Sequence, residues 1–172
     1  MIRNNEDTER GVQKLNIAEI ITDVNYQLTR DVEETGSFMT LFFLLLDQRT
    51  QTLHWVRAGH DPALFYDPTT QIFENLHGPG IALGVDDTWQ YTQQTKSGLT
   101  GGQIILLGTD GIWEAQNPQG QLFGKEQLLK IMQEYANADA EEILEAIITA
   151  INRFRGSQAP TDDVTLVIIK IK

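Results

Sequence analysis

The sequence contains no cysteine among its 172 residues. This absence excludes disulfide bonds, thiolate metal sites and cysteine nucleophiles, and it is compatible with a reducing cytoplasm. No apolar run approaches the ~20 residues that a membrane-spanning helix needs. The first ten residues are polar and charged, so they do not resemble a signal peptide. Together these absences predict a cytoplasmic protein.

Basic residues are also few: 13 Lys and Arg stand against 24 Asp and Glu, which gives a formal net charge of −11. Nucleic acids and anionic membranes are bound through Lys and Arg, so neither is an expected partner. The acidic balance is compatible with binding a divalent cation, although a well-solvated surface is the simpler interpretation. The 41% of hydrophobic and 22% of charged residues are typical of one ordinary globular domain.

The hydrophobic pattern changes its period along the chain. Residues 1–15 have no apolar period and are interpreted as a linker or the end of a helix. Helical spacing predicts helices at 15–33, capped by Asn16, and at 125–135 and 140–154. Strands are predicted at 38–46, which would be buried on both faces, and at 53–56, 63–66, 71–76, 88–95, 103–107 and 164–171. Strands next to strands, with the helices grouped apart, predict an α+β fold with mostly antiparallel sheets.

Two acidic clusters border the predicted apolar strands. Asp110 and Gly111 follow the strand at 103–107, and Asp162 and Asp163 precede the strand at 164–171. A carboxylate at the end of a buried strand is held rigidly, and two of them can converge to bind a hard cation such as Mg²⁺ or Mn²⁺. Gly111 would let the backbone approach the metal or its waters closely. Taken singly, each Asp is more often a turn or cap residue.

The remaining candidates favour structural interpretations. His60 could be presented by a tight turn as a catalytic group, but a packed histidine with hydrogen-bonded ring nitrogens is the favoured reading. His54 and His77 have no acidic or glycine context. The segment at 78–80 lacks the Lys and following helix of a phosphate-binding loop. The absence of a Gly-x-Ser-x-Gly elbow argues against a serine hydrolase.

Read together, several segments resemble motifs of the sporulation-stage-II-E-like PPM phosphatases, a bacterial family. Residues 57–62 resemble its Ala-Gly-His-x-Pro segment, and residues 109–115 resemble Thr-Asp-Gly-hydrophobic-x-Glu-Ala. Residues 161–166 resemble the closing Asp-Asp-hydrophobic-Thr signature. Further similar segments are 38–42, the Gly-x-Pro-Leu-Gly loop at 80–84 with Ala82 in place of Pro, and the turn at 117–124. The resemblance covers residues 16–172, the predicted domain.

The resemblance implies two antiparallel sheets packed face to face with helices outside. It also implies a two-metal Mn²⁺ or Mg²⁺ centre that hydrolyses phosphoserine or phosphothreonine, commonly on a small regulator of the anti-anti-sigma type. By position, Asp110 and Asp162 would be catalytic metal ligands, with Gly111 next to the metal. Asp163 would lie beside the second ligand as a further candidate.

One motif of the family is not found. The family carries another metal-binding Asp upstream, in a strand that ends Asp-x-x-Gly-x-Gly, whereas the only glycine before Gly36 is Gly11. Asp23 and Val24 imitate the first two residues of the motif, but on a predicted helix. We therefore expect an N-terminally incomplete or degenerate domain.

This expectation leaves three alternatives open: a phosphatase domain, a non-catalytic phosphoprotein-binding module of the same fold, or an unrelated α+β interaction domain. Missing strands would also leave unpaired sheet edges, which predict a homodimer or strand exchange.

Overall fold

The structure, a computed structural model, describes residues 16–160 and 162–172. The interpretation of 1–15 as a linker therefore lies outside the described residues. In the described part, the helices are α1 (Ile17–Val32), α2 (Lys125–Glu134) and α3 (Ala140–Arg155). The strands are β1 (Leu41–Asp47), β2 (Thr52–Ala58), β3 (Ala63–Asp67), β4 (Ile72–Leu76), β5 (Gln94–Ser97), β6 (Ile104–Gly108) and β7 (Leu166–Lys170).

The strands form two antiparallel sheets. One has the order β1-β2-β5 and the other β4-β3-β6-β7, and every neighbouring pair in both runs antiparallel. The consecutive strands β1 and β2 form one hairpin, and β3 and β4 form another. The predicted fold class, α+β with two antiparallel sheets and flanking helices, is confirmed.

The two sheets pack face to face through alternate residues of their central strands. Leu53 and Trp55 of β2 belong to one buried cluster with Phe65 of β3 and Ile105 of β6. Successive side chains of a strand point to opposite faces, so the residues between these ones face away from the sandwich. That alternation makes β2, β3 and β6 apolar on both faces, because helices cover both outer surfaces.

The outer face of each sheet is covered by helices. Leu64 and Leu106 pack in a second cluster with residues of α2 and α3, including Leu128 and Ile147. On the other side, Val56 and its neighbours pack against α1 in a third cluster. The molecule is therefore layered as helix, sheet, sheet and helices, which is a common way to bury both faces of two sheets.

Two of the helices begin at side-chain caps that are present in the sequence. Asn16 caps α1 as predicted: its side chain accepts a hydrogen bond from the Ala18 amide at 3.2 Å. A capping box of Asp139 and Glu142 starts α3. None of the helices in the described residues is long and apolar enough to cross a bilayer.

Two strand predictions were wrong in part. The apolar run at 38–46 was predicted to be buried on both faces, but β1 starts only at Leu41 and is the last strand on its side of the β1-β2-β5 sheet. Phe38 is 68% exposed, and Phe43 is 37% exposed. The strand predicted at 88–95 is shorter and later, since β5 covers Gln94–Ser97. An apolar run cannot by itself distinguish a central strand from an edge strand.

Candidate active site

The chain topology brings the motif segments to one end of the sandwich. The end of β6 lies beside the start of β7, where Gly108 pairs with Leu166, and beside the start of β3. β2 ends at the same place, because the segment at 59–62 connects it directly to β3. The loops at 59–62, 109–111 and 162–165 are therefore neighbours, although about 100 residues separate the first from the last.

Thr109 ties the two acidic clusters together. Its amide donates to the Thr165 carbonyl oxygen at 3.1 Å, and its hydroxyl donates to the Asp163 carbonyl oxygen at 2.9 Å. The same hydroxyl accepts a hydrogen bond from the Thr165 amide at 3.0 Å. These bonds hold the turn that contains Asp110 against the segment that contains Asp163.

Gly111 is buried at the same contact. A Cβ atom added at this position would lie 2.5 Å from the Asp163 carbonyl oxygen, so any side chain would push the two segments apart. The backbone at Gly111 does not have a positive φ, so the requirement for glycine here is one of space. Gly111 therefore has a packing role between the two clusters, and its predicted place next to a metal stays a prediction.

The carboxylates of the site are open to solvent. Asp110, Asp162 and Asp163 are all exposed, and the Asp162 side chain accepts a hydrogen bond from the Asp163 amide at 2.7 Å. The ion pairs found within 4.0 Å among the described residues, Lys96–Glu74 and Lys125–Asp61, involve none of the three. Their oxygens are therefore available to a ligand.

The side chains at this end of the sandwich carry the type of donor that a hard cation prefers. Carboxylate oxygens are the ligands that Mg²⁺ and Mn²⁺ prefer. In residues 16–160 and 162–172, however, no group of three or more His, Cys, Asp or Glu side chains converges to hold a metal. A two-metal centre needs carboxylates that flank or bridge both ions. The described residues therefore do not form a complete two-metal centre, and the role of Asp110, Asp162 and Asp163 as metal ligands stays a prediction.

His60 lies near this end of the sandwich, where its ring and its backbone carbonyl make hydrogen bonds to neighbouring residues. Its Nδ1 is 3.0 Å from the Asp61 carbonyl oxygen, and its own carbonyl accepts a hydrogen bond from Arg57 Nε. Arg57 also donates to the Gly78 carbonyl oxygen at 3.1 Å, so the guanidinium clamps two loops. These contacts agree with the interpretation of His60 as a packed histidine in a tight turn.

The loop at 80–84 supports the site without contributing charged groups. A Cβ atom at Gly80 would lie 1.9 Å from the Arg57 carbonyl oxygen, which explains the glycine. Buried Asn25 of α1 accepts a hydrogen bond from the Gly84 amide at 3.0 Å. Tyr91 donates its hydroxyl to the Ile81 carbonyl oxygen, and burial raises the pKa of that hydroxyl, so it stays protonated as a donor.

Sequence reasoning missed two contributions to the site. The Thr109 hydroxyl was part of a recognised motif, and the tendency of Thr to bond nearby backbone groups was a signal that could have been used. The contact of Lys125 with Asp61 at 3.2 Å and with the Trp113 ring at 4.1 Å left no such signal. Lys125 and Asp61 are far apart in the sequence and come into contact only in the folded chain.

Comparison with known proteins agrees with this geometry. The structure resembles the SiaA PP2C domain of Pseudomonas aeruginosa, with a TM-score of 0.77 and 19% identity over 90% of this chain and 61% of that domain. It also resembles the manganese-presoaked SpoIIE phosphatase domain of Bacillus subtilis, with a TM-score of 0.62 and 17% identity over 99% of this chain and 75% of the other. The fold is that of a PP2C-type phosphatase domain.

The family follows from the sequence. The profile of the stage II sporulation protein E (SpoIIE) family matches residues 2–172. The chain therefore belongs to the SpoIIE family, a family of metal-dependent serine phosphatases. Among curated relatives, the phosphoserine phosphatase RsbU of Bacillus subtilis is 24% identical over 155 residues, which cover 90% of this chain. The matched part is 45% of the length of RsbU.

Proposed function

We propose that this domain acts on phosphoserine or phosphothreonine of a small regulatory protein of the anti-anti-sigma type, in the cytoplasm. The observation that carries the proposal is the bonded contact between the two acidic clusters, in which Thr109 joins Asp163 and Thr165. This contact fixes Asp110 and Asp162 at one end of a PP2C-type sandwich. The family and the phosphoserine phosphatase RsbU support the same substrate class.

In this proposal the chain's own residues provide position and charge. Asp110 and Asp162, with Asp163 beside them, would hold Mn²⁺ or Mg²⁺, which stabilises charge on phosphoryl oxygens and activates water when bound. Thr109 and Gly111 keep the two carboxylate-bearing segments at a fixed spacing. The second cation of a two-metal mechanism would need carboxylates beyond those that the described residues bring together.

The alternative is a phosphoprotein-binding module that does not hydrolyse its ligand. It is favoured by one observation: the described residues hold no group of three or more metal-binding side chains. Such a module would bind a phosphorylated regulator and release it unchanged. Binding with no turnover would select this alternative, whereas release of phosphate would select the enzyme.

The metal site is tested by calorimetry with Mn²⁺. We expect weak binding, with a dissociation constant of roughly 10⁻⁴ to 10⁻³ M, the range of sites with few charged ligands. Asp110→Asn should weaken it at least about tenfold, because one of few carboxylates is lost. Asp23→Asn is the matched control, since Asp23 is exposed on α1 and should not affect binding. Tight binding that Asp110→Asn leaves unchanged would refute the assignment.

The free sheet edges predict self-association. β1 and β7 are each the last strand of their sheet among the described residues. They lie on the same side, because β5 at the opposite side contacts β4 through Lys96 and Glu74 at 2.6 Å. Val167 of β7 is 47% exposed, and such apolar edges recruit other chains. We expect a dimer formed through these edges.

The dimer is tested by light scattering over a wide range of concentration. Val167→Lys should weaken association at least about tenfold, because a charge would be buried at the contact. Ile72→Lys is the matched control: Ile72 is 62% exposed on β4, the other outer strand of the same sheet. A wild-type protein that remains monomeric at every concentration would contradict the prediction.

A further inference from the structure

Within the part of the chain that the structure describes, Arg155 is a cation without a carboxylate partner beside the acidic site. It is the last residue of α3, and it lines a narrow cleft together with Gly111 and Asp162. Its Nη2 donates to Asn152 at 3.0 Å. Its Nε is buried and has no hydrogen-bond partner among the described residues. The ion pairs found in that part of the chain do not include it, even though Asp162 lines the same cleft.

This arrangement is suited to an anionic ligand. A buried donor without a partner is unfavourable, so a ligand that accepts its hydrogen bond removes that penalty. The planar guanidinium presents several donors in a geometry that matches phosphate oxygens. Arg155 is also one of only 13 basic residues in a chain of net charge −11, so a cation at the acidic end of the sandwich is a specific feature.

The cleft itself is too small to enclose a phosphoryl group. Its interior volume is about 10 Å³, which holds about one water molecule. A phosphoryl group would therefore bind at the mouth of the cleft, between Arg155 and the site carboxylates.

A wider depression continues from the cleft. It has a volume of about 180 Å³ and shares Gln116 and Ala159 with the cleft. Its other lining residues include Asn117 and Gln158, so it is rich in side-chain amides and has no charged group. Amides both donate and accept hydrogen bonds, which suits the backbone of an extended peptide.

We propose that Arg155 binds the phosphoryl group of the substrate, and that the depression lined by Gln116, Asn117 and Gln158 receives the peptide next to the phosphorylated residue. The proposal rests on the proposed function, because it assigns the groups that recognise a phosphoprotein at that site. Arg155 is a specificity and positioning residue in this scheme, and the acidic residues remain the candidate catalytic groups.

The test is a binding titration of the full 172-residue chain in the presence of MgCl₂, followed by amide NMR. The probes are the peptide acetyl-Ala-Gly-phosphoSer-Gly-Ala-amide, its unphosphorylated twin and inorganic phosphate. We expect Arg155→Gln to weaken binding of the phosphopeptide and of phosphate about tenfold or more, and Arg155→Lys to weaken it less. Gln158→Ala should weaken binding of the phosphopeptide about threefold and leave the affinity for inorganic phosphate unchanged.

Arg153→Gln is the matched control, because Arg153 is an exposed residue of the same helix. This variant should bind both probes as tightly as the wild type does. Thermal unfolding and the NMR spectrum of each variant separate a loss of binding from a loss of fold, and a folded Arg155→Lys keeps the test valid if Arg155→Gln unfolds. If a folded Arg155 variant binds the phosphopeptide as tightly as the wild type, the role of Arg155 is refuted while the proposed function still stands. If the wild type does not prefer the phosphorylated peptide, the proposed function fails as well.

Discussion

The 172-residue chain is expected to hydrolyse p-nitrophenyl phosphate with Mn²⁺ very slowly or not at all. Among the described residues no group of three or more metal-binding side chains converges, so the candidates Asp110, Asp162 and Asp163 do not form a complete metal centre. With so few carboxylates, two cations about 3.5–4 Å apart would repel each other without sufficient compensation, and the attacking water would be poorly held. Loss of such preorganisation lowers the rate by several powers of ten, since each ~1.4 kcal/mol is a factor of ten.

A longer chain can test whether slow hydrolysis results from too few metal-binding carboxylates or from a domain that is inactive for another reason. Adding an upstream strand that carries the Asp-x-x-Gly-x-Gly motif should give Mn²⁺-dependent turnover, measured as steady-state release of nitrophenolate. In that chain Asp110→Asn should abolish activity, and Asp23→Asn should retain it. Robust turnover by the 172-residue chain itself would show that a ligand has been misplaced, with Asp23 and Asp163 the first to examine.

Gly111→Ala is expected to damage both the fold and the site. The new Cβ atom would lie 2.5 Å from the Asp163 carbonyl oxygen, which is backbone and cannot move without disturbing the start of β7. Overpacking of this kind costs about 1–3 kcal/mol, which lowers the melting temperature by about 2–4 °C for each kcal/mol. Since the two acidic segments are pushed apart, we also expect at least about tenfold weaker binding of Mn²⁺.

Gly101→Ala is the matched control for this experiment. A Cβ atom there meets only the Lys172 backbone at 3.6 Å, an ordinary van der Waals distance. Its melting temperature and Mn²⁺ affinity should stay close to those of the wild type. If Gly111→Ala behaves in the same way under calorimetry and thermal unfolding, the contact between residues 111 and 163 does not hold the site together.

The site illustrates the limits of motif reading. The sequence indicated Asp110 and Asp162 as strand-end carboxylates, and their proposed role as metal ligands stays a prediction. The roles of Thr109 and Gly111 became clear only when the end of β6 was seen against the start of β7. Arg155 had no signal at all, because the cleft that it lines joins a helix end to two distant loops.

The sequence by itself determined the type of nearly every element, because helical and strand periods are local properties of the chain. It also determined the ends of α1 and α3, since Asn16 and Asp139 cap them through neighbouring residues. Only the tertiary structure decided that the apolar run of β1 lies at an edge, that Val167 is half exposed on the edge strand β7, and that the two acidic clusters meet. Strand order and the contacts between loops depend on partners far away in the chain, and no local pattern records them.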